Sequence, residues 1–99
     1  MKKILVLSVF VFIVFACGEK NNKAAAILGK QVYKKNCVIC HGVDGKLGLN
    51  NSKDLTVSKL TKEERITMVK NGKGTMTAFG AILKPQEIEA VVAYTFTLK

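Results

Sequence analysis

One histidine, one proline and three cysteines in 99 residues leave few kinds of chemistry open to this chain. A second histidine is missing, so acid–base work shared between two imidazoles is excluded. Three cysteines cannot complete a four-cysteine zinc site. Acidic residues are also scarce, seven against sixteen lysines and arginines, for a formal charge of +9. The basic residues are nearly all lysine and are scattered, with no stripe and no interleaved aromatics, which sets nucleic acid aside as a partner. No alternating strand pattern and no internal repeat is visible. The one long apolar run, Ile4 to Phe15 with only Ser8 interrupting, falls short of the ~20 residues a membrane-spanning helix needs.

What is present begins with that run. Met1-Lys2-Lys3 is a short positive segment, the apolar run follows, and Ala16-Cys17-Gly18 supplies small residues. This is the layout of an export signal. An odd cysteine in an exported chain needs an account. Val14-Phe15-Ala16-Cys17 resembles the lipobox of bacterial lipoproteins, although Phe15 is bulkier than that motif usually has. The resemblance implies lipidation at Cys17, with two or more acyl chains for stable anchoring. Expected boundaries are therefore a lipoprotein-type export signal over 1–16, a polar tether over 17–23 and one domain over 24–99.

The most informative residues are Cys37-Val38-Ile39-Cys40-His41. Two cysteines three apart, followed at once by the only histidine, read as a c-type haem attachment site. Each thiol can add across a haem vinyl group to form a thioether, and one helical turn matches the separation of the two vinyls. The adjacent imidazole can then ligate the iron. The expected cofactor is one haem c held by two thioethers. A C-x-x-C pair can also be a redox dithiol, but that reading expects a thioredoxin-like βαβ setting, which the sequence does not offer. A domain this short is near the lower limit for a self-sustaining core, and a covalent haem would give it a large apolar plate to pack around.

The remaining signals are helical. Ala24 to Asn36 combines three alanines with Ile27, Leu28, Val32 and Tyr33 at near-helical spacing and runs into the cysteine motif. Gly42 to Ser52 is a turn-rich loop, long enough in so small a domain to be packed against something. Thr61-Lys62-Glu63-Glu64 is a capping box opening a helix through about Lys70, and Asn71-Gly72 stops it. Gly72 to Gly80 is a second loop. Pro85 opens a last helix to about Leu98, with Ile88, Val91, Val92 and Thr95 on one stripe. The fold class is all-α: three or more helices and long loops wrapped around one covalent haem.

A haem iron with one histidine has a further position to fill or leave open. Met68, Met76 and the lysines are the candidates in the mature chain. Met68 lies mid-helix beside Ile66 and Val69 and reads as core filling. Met76 lies on the glycine-rich loop, which can approach a ring closely. A thioether opposite an imidazole raises the potential and leaves no site for substrate, which suits an electron carrier rather than an enzyme.

These blocks in this order resemble a class I c-type cytochrome of the small bacterial kind, over about Ala24 to Leu98. The resemblance rests on Gly29-x-x-x-Tyr33-x-x-x-Cys37-x-x-Cys40-His41-Gly42, on Asp54-Leu55, on Asn71-Gly72-Lys73-Gly74-Thr75-Met76 with Ala78-Phe79, and on a closing helix ending in Tyr94. It implies the cytochrome c-like fold, Cys37 and Cys40 as thioether anchors, and His41 and Met76 as axial ligands. It also implies a close crossing of first and last helices at Gly29, with Tyr94 nearby. Two departures stand out. Lys53 replaces a proline whose carbonyl often accepts the imidazole Nδ1 proton, and Thr77 replaces a proline that often follows the ligand methionine.

The expected function is a single-haem electron carrier, lipid-anchored on the periplasmic side of a bacterial membrane. It would pass electrons between a quinol-oxidising or dehydrogenase complex and a terminal oxidase or reductase, with lysines such as Lys34, Lys35, Lys46 and Lys73 steering acidic partners. The alternative is a haem sensor or peroxidase-like enzyme with a displaceable sixth ligand. A dithiol oxidoreductase without haem is the third option.

Overall fold

The computed structural model describes residues 16–99, with side chains from Asn22 onward. Residues 1–15 of the expected export signal, and the side chain of Cys17, lie outside the described residues. Among the described residues the fold is all-α: α1 (Ala16–Asn36), α2 (Val38–His41), a 3-10 turn at Leu49–Asn51, α3 (Lys62–Asn71) and α4 (Pro85–Thr95), with no strand.

Two helix boundaries differ from expectation. The first helix is already formed at Ala16, the first described residue, and so includes the expected tether ahead of the expected start at Ala24. Proline is absent between Cys17 and Lys23, so no residue there removes a helical hydrogen-bond donor. The last helix ends at Thr95 instead of Leu98. Thr95 Oγ1 donates to the Val92 carbonyl at 2.6 Å and Thr97 Oγ1 to the Tyr94 carbonyl at 2.7 Å, so side chains compete for the last helical acceptors.

The start signals act as the sequence implies. The Glu64 N–H donates to Thr61 Oγ1 at 3.2 Å and the Thr61 N–H donates to Glu64 Oε1 at 3.0 Å, closing the capping box of α3. These bonds hold the Glu64 carboxyl below its ordinary pKa. At α4, Pro85 takes the first position and the Lys84 N–H donates to Glu87 Oε1 at 2.9 Å. Lysine has no acceptor with which to return the bond, so this cap is half of a box.

The core sits where α1 meets α4. Val32 and Tyr33 from α1 pack with Leu83, Ile88, Val91 and Val92, and Val91 and Val92 are fully enclosed. Ile66 and Val69 of α3 and Phe79 close the cluster from the side. Each fully buried aliphatic side chain contributes about 1.5–3 kcal/mol. The crossing depends on Gly29. A Cβ there would run into the Ala90 carbonyl oxygen, lie 2.8 Å from the Ala90 carbonyl carbon and 3.1 Å from Tyr94 Cβ. The close crossing inferred from the resemblance is therefore present, with Tyr94 beside it.

Gly29→Ala should force the helices apart and destabilise the fold by about 1–3 kcal/mol, the range of core overpacking. Chemical denaturation of the purified holoprotein followed by circular dichroism checks this.

Candidate haem site

The site is built from the end of α1. Tyr33 lies one helical turn before Cys37 and is enclosed, its ring tilted 50° against Tyr94 at a centroid distance of 5.2 Å. Its hydroxyl donates to the Gly42 carbonyl at 2.6 Å, spanning the whole cysteine motif. Backbone bonds wind the motif into a turn between these two anchors. The Cys37 N–H donates to the Tyr33 carbonyl at 2.9 Å, that of His41 to Cys37 at 2.9 Å, and that of Gly42 to Val38 at 2.8 Å. The sequence expectation of one helical turn from Cys37 is met, with a bend at Cys37 (φ −111°, ψ −31°) that separates α1 from α2.

Cys37 and Cys40 are both half-buried and not disulfide-bonded. Burial, with a smaller contribution from Cys40, pushes the Cys37 thiol up to about 11. A redox C-x-x-C pair needs an easily ionised first thiol, so this environment is wrong for a dithiol oxidoreductase. Two free thiols on one turn are the donor set that thioether formation requires.

His41 is half-buried, and its Nδ1 lies 3.1 Å from the Lys53 carbonyl oxygen. The carbonyl can only accept, so Nδ1 carries the proton and Nε2 is the nitrogen left available to a metal. Such an arrangement fixes the tautomer a metal-ligating histidine uses. The proline that the resemblance associates with this carbonyl is replaced by Lys53, and the bond forms regardless because any residue supplies a carbonyl.

Met76 is half-buried on a tight turn, its N–H donating to the Lys73 carbonyl at 2.9 Å. Gly72 (φ +66°) makes the turn possible: a side chain there would meet the Met76 carbonyl oxygen at 2.5 Å and the Ala78 nitrogen at 2.8 Å. Two bonds return the loop to α3, from the Phe79 N–H to Val69 at 2.8 Å and from that of Gly80 to Lys70 at 3.1 Å. Thr75 Oγ1 donates to the Asn50 carbonyl at 3.0 Å, and the Leu49–Asn51 turn packs against α2. The methionine loop and the cysteine–histidine turn thus share one neighbour. Met68 lies apart from that link, half-buried on α3, where it lines a cavity of about 430 Å³ with Leu60, Thr67 and Gly72. Neither Met76 nor any of Cys37, Cys40 and His41 lines that cavity.

The surroundings also fit a haem. Val43, Leu47, Leu49 and Val57 all stand on the segment between His41 and α3 with their side chains uncovered, Val43 at 77% and Val57 at 71% exposure. Uncovered apolar side chains on the segment that follows the histidine are available to an apolar ligand. Together with two thiols and an oriented imidazole, they match a porphyrin attached through its vinyl groups.

Two residues important to this arrangement escaped sequence reasoning. Tyr33 was visible as a core aromatic and as part of the motif block, but not as the donor to Gly42, although its place four residues before Cys37 puts it on the motif's own face. Arg65 is buried at 6% exposure, and its place four residues before Val69, on the apolar side of α3, was the available signal.

Small all-α domains with two free thiols and an imidazole on one turn define a class of covalent haem carriers, and comparison with known proteins agrees. Residues 24–94 match the family described as cytochrome C oxidase, cbb3-type, subunit III. The cytochrome c6 of Nostoc sp. is 37% identical over 102 residues, covering 95% of this chain and 91% of that protein. That of Rippkaea orientalis is 36% identical over 102 residues, with the same coverages of 95% and 91%. The cytochrome c6 of Gloeothece citriformis is 42% identical over 72 residues, 67% of this chain and 64% of that protein. The chain belongs to the c-type cytochromes. It carries one covalently bound haem c and transfers electrons rather than catalysing a reaction on a substrate.

The Tyr33 hydroxyl yields a pH prediction. Burial, with lesser contributions from Cys37, Tyr94 and Asp44, raises its pKa from 10.0 to about 12. The folded state therefore favours neutral Tyr33. That stabilisation is whole below pH 10.0 and is lost as the pH rises to about 12. Tyr33→Phe should cost about 1–2 kcal/mol at neutral pH and flatten this alkaline fall. Denaturation midpoints measured across that window, for wild type and variant, check both parts.

Proposed function

We propose that Cys37 and Cys40 anchor the haem through thioethers, that His41 Nε2 and the Met76 sulfur are its axial ligands, and that the protein relays electrons between membrane-associated respiratory complexes. The observation that carries this reading is the bond from His41 Nδ1 to the Lys53 carbonyl, which leaves Nε2 free to ligate on the same turn as two free thiols. The haem supplies one-electron chemistry between ferrous and ferric iron. The chain's own work is to hold a soft thioether and an imidazole, a pair that favours the reduced state and raises the potential. The Thr75–Asn50 bond supports Met76 over Met68, because it hangs the Met76 loop on the turn that packs against the short helix α2, which ends in His41.

The partners we infer are acidic redox proteins, with a quinol-oxidising complex or dehydrogenase upstream and a terminal oxidase or reductase downstream. Lys34, Lys35, Lys46 and Lys73 are exposed and lie in or near the elements of the site, so they are placed to steer association. The oxidase named in the matching family's description is in keeping with this. We place the protein on the periplasmic side of a bacterial membrane, tethered by lipid at Cys17. No helix among the described residues is long and apolar enough to cross a membrane, and a tether does not require one.

Two experiments test these assignments. Reduced wild-type protein should not bind carbon monoxide at neutral pH, and its oxidised form should show the near-infrared charge-transfer band of iron–thioether ligation. Met76→Ala should lose the band and bind carbon monoxide, whereas Met68→Leu should behave as wild type. The reverse assignment of the two variants would overturn Met76 as ligand. For the tether, Cys17→Ser should move the protein from the membrane to the soluble fraction of fractionated cells, and an unchanged membrane fraction would contradict lipidation.

A further inference from the structure

The carbonyl that orients His41 belongs to a segment with no proline to stiffen it, yet the segment is pinned. The Leu55 N–H donates to the Gly45 carbonyl at 3.0 Å. Asp54 closes a local turn by accepting from the Thr56 N–H at 2.9 Å and Thr56 Oγ1 at 2.6 Å. A further pin comes from outside. Arg65 Nη2 reaches the Ser58 carbonyl at 3.2 Å and the Leu55 carbonyl at 3.5 Å, while Nη1 donates to Thr95 Oγ1 at 2.8 Å. Its guanidinium lies 3.9 Å from the centre of the Phe96 ring. One planar group thus ties α3, the segment after Lys53 and the end of α4. Each of these described partners is neutral. An arginine placed among carbonyls, a hydroxyl and a ring can act as a clamp, because its rigid fork holds several acceptors at once.

We propose that Arg65 is a positioning residue for the proximal histidine: by fixing Leu55 and Ser58 it holds the Lys53 carbonyl against His41 Nδ1. The clamp takes over the stiffening that Lys53 cannot supply. This inference rests on the reading of His41 as an iron ligand. A firm Nδ1–H to carbonyl bond makes the imidazole a stronger donor and stabilises ferric iron. Loosening the segment should weaken that donation and raise the reduction potential. Loss of a nearby positive charge would do the opposite, because a positive charge disfavours the oxidised, more positive haem. The two effects separate in Arg65→Lys, which keeps the charge and loses the fork.

The test uses ferrous holoprotein, wild type and Arg65→Lys, with nuclear magnetic resonance of the His41 ring and a redox titration. In Arg65→Lys the His41 Nδ1 proton should exchange with solvent about tenfold faster, and the potential should rise. Adding Lys53→Pro should return both toward wild type. Ser52 (φ −58°, ψ 135°) already has the extended backbone that a following proline requires. Should Arg65→Lys fail to fold, Thr95→Val, which removes the Nη1 acceptor, should shift both readouts in the same direction by less. Unchanged exchange and an unchanged or lowered potential, in whichever of these variants folds, would overturn the proposal and leave Arg65 a structural pin. A wild-type His41 ring without haem-shifted resonances would instead overturn the ligand reading, and the proposal with it.

Discussion

The close approach of α1 to α4 at Gly29 is the contact on which the rest of the molecule depends. With no side chain at that point, the Ala90 carbonyl sits against the α1 backbone. That distance brings Tyr33 into the core and against Tyr94. Tyr33 then reaches Gly42, so the far end of the cysteine motif is fastened to the helix that precedes it. A core contact, an aromatic pair and one hydroxyl bond thus carry order from the helix crossing to the two thiols and the imidazole.

The opposite side of the site is assembled from loops, and it is held by polar bonds more than by burial. Lys53, Asn50 and Gly45 contribute carbonyls, and His41, Thr75 and Leu55 contribute the donors. Such a lattice has little apolar area of its own, and Val43, Leu47, Leu49 and Val57 remain uncovered beside it. A small domain of this kind gains from a bound apolar plate, because the plate adds the burial that so short a chain otherwise lacks. The same plate is the redox centre. Stability and function therefore draw on one ligand, and the high thiol pKa of Cys37 suits permanent attachment better than reversible disulfide exchange.

Local signals in the sequence foretold most of the helical frame. Thr61 and Glu64 announced the start of α3, Pro85 that of α4, and Gly72 the stop, because caps and breakers act through neighbouring residues. The cysteine–histidine turn was legible for the same reason. The helix ahead of Ala24 was missed because polarity is a poor guide to helix extent where no proline breaks it. The end of α4 was overrun because two threonine hydroxyls bond back to the chain. Arg65 was hidden for a different reason. Its role depends on carbonyls at 55 and 58 and a hydroxyl at 95, contacts that no local pattern encodes.

The central claim is that the turn from Cys37 to His41 exists to hold a haem covalently, and a pyridine haemochrome spectrum tests it most directly. Holoprotein made with a cytochrome c maturation system should keep its haem through acid–acetone extraction. The spectrum should then show one haem per chain, with the band position of a porphyrin whose two vinyl groups are both saturated. Haem that leaves with the solvent, or a colourless chain whose two thiols remain open to alkylation, would contradict the account.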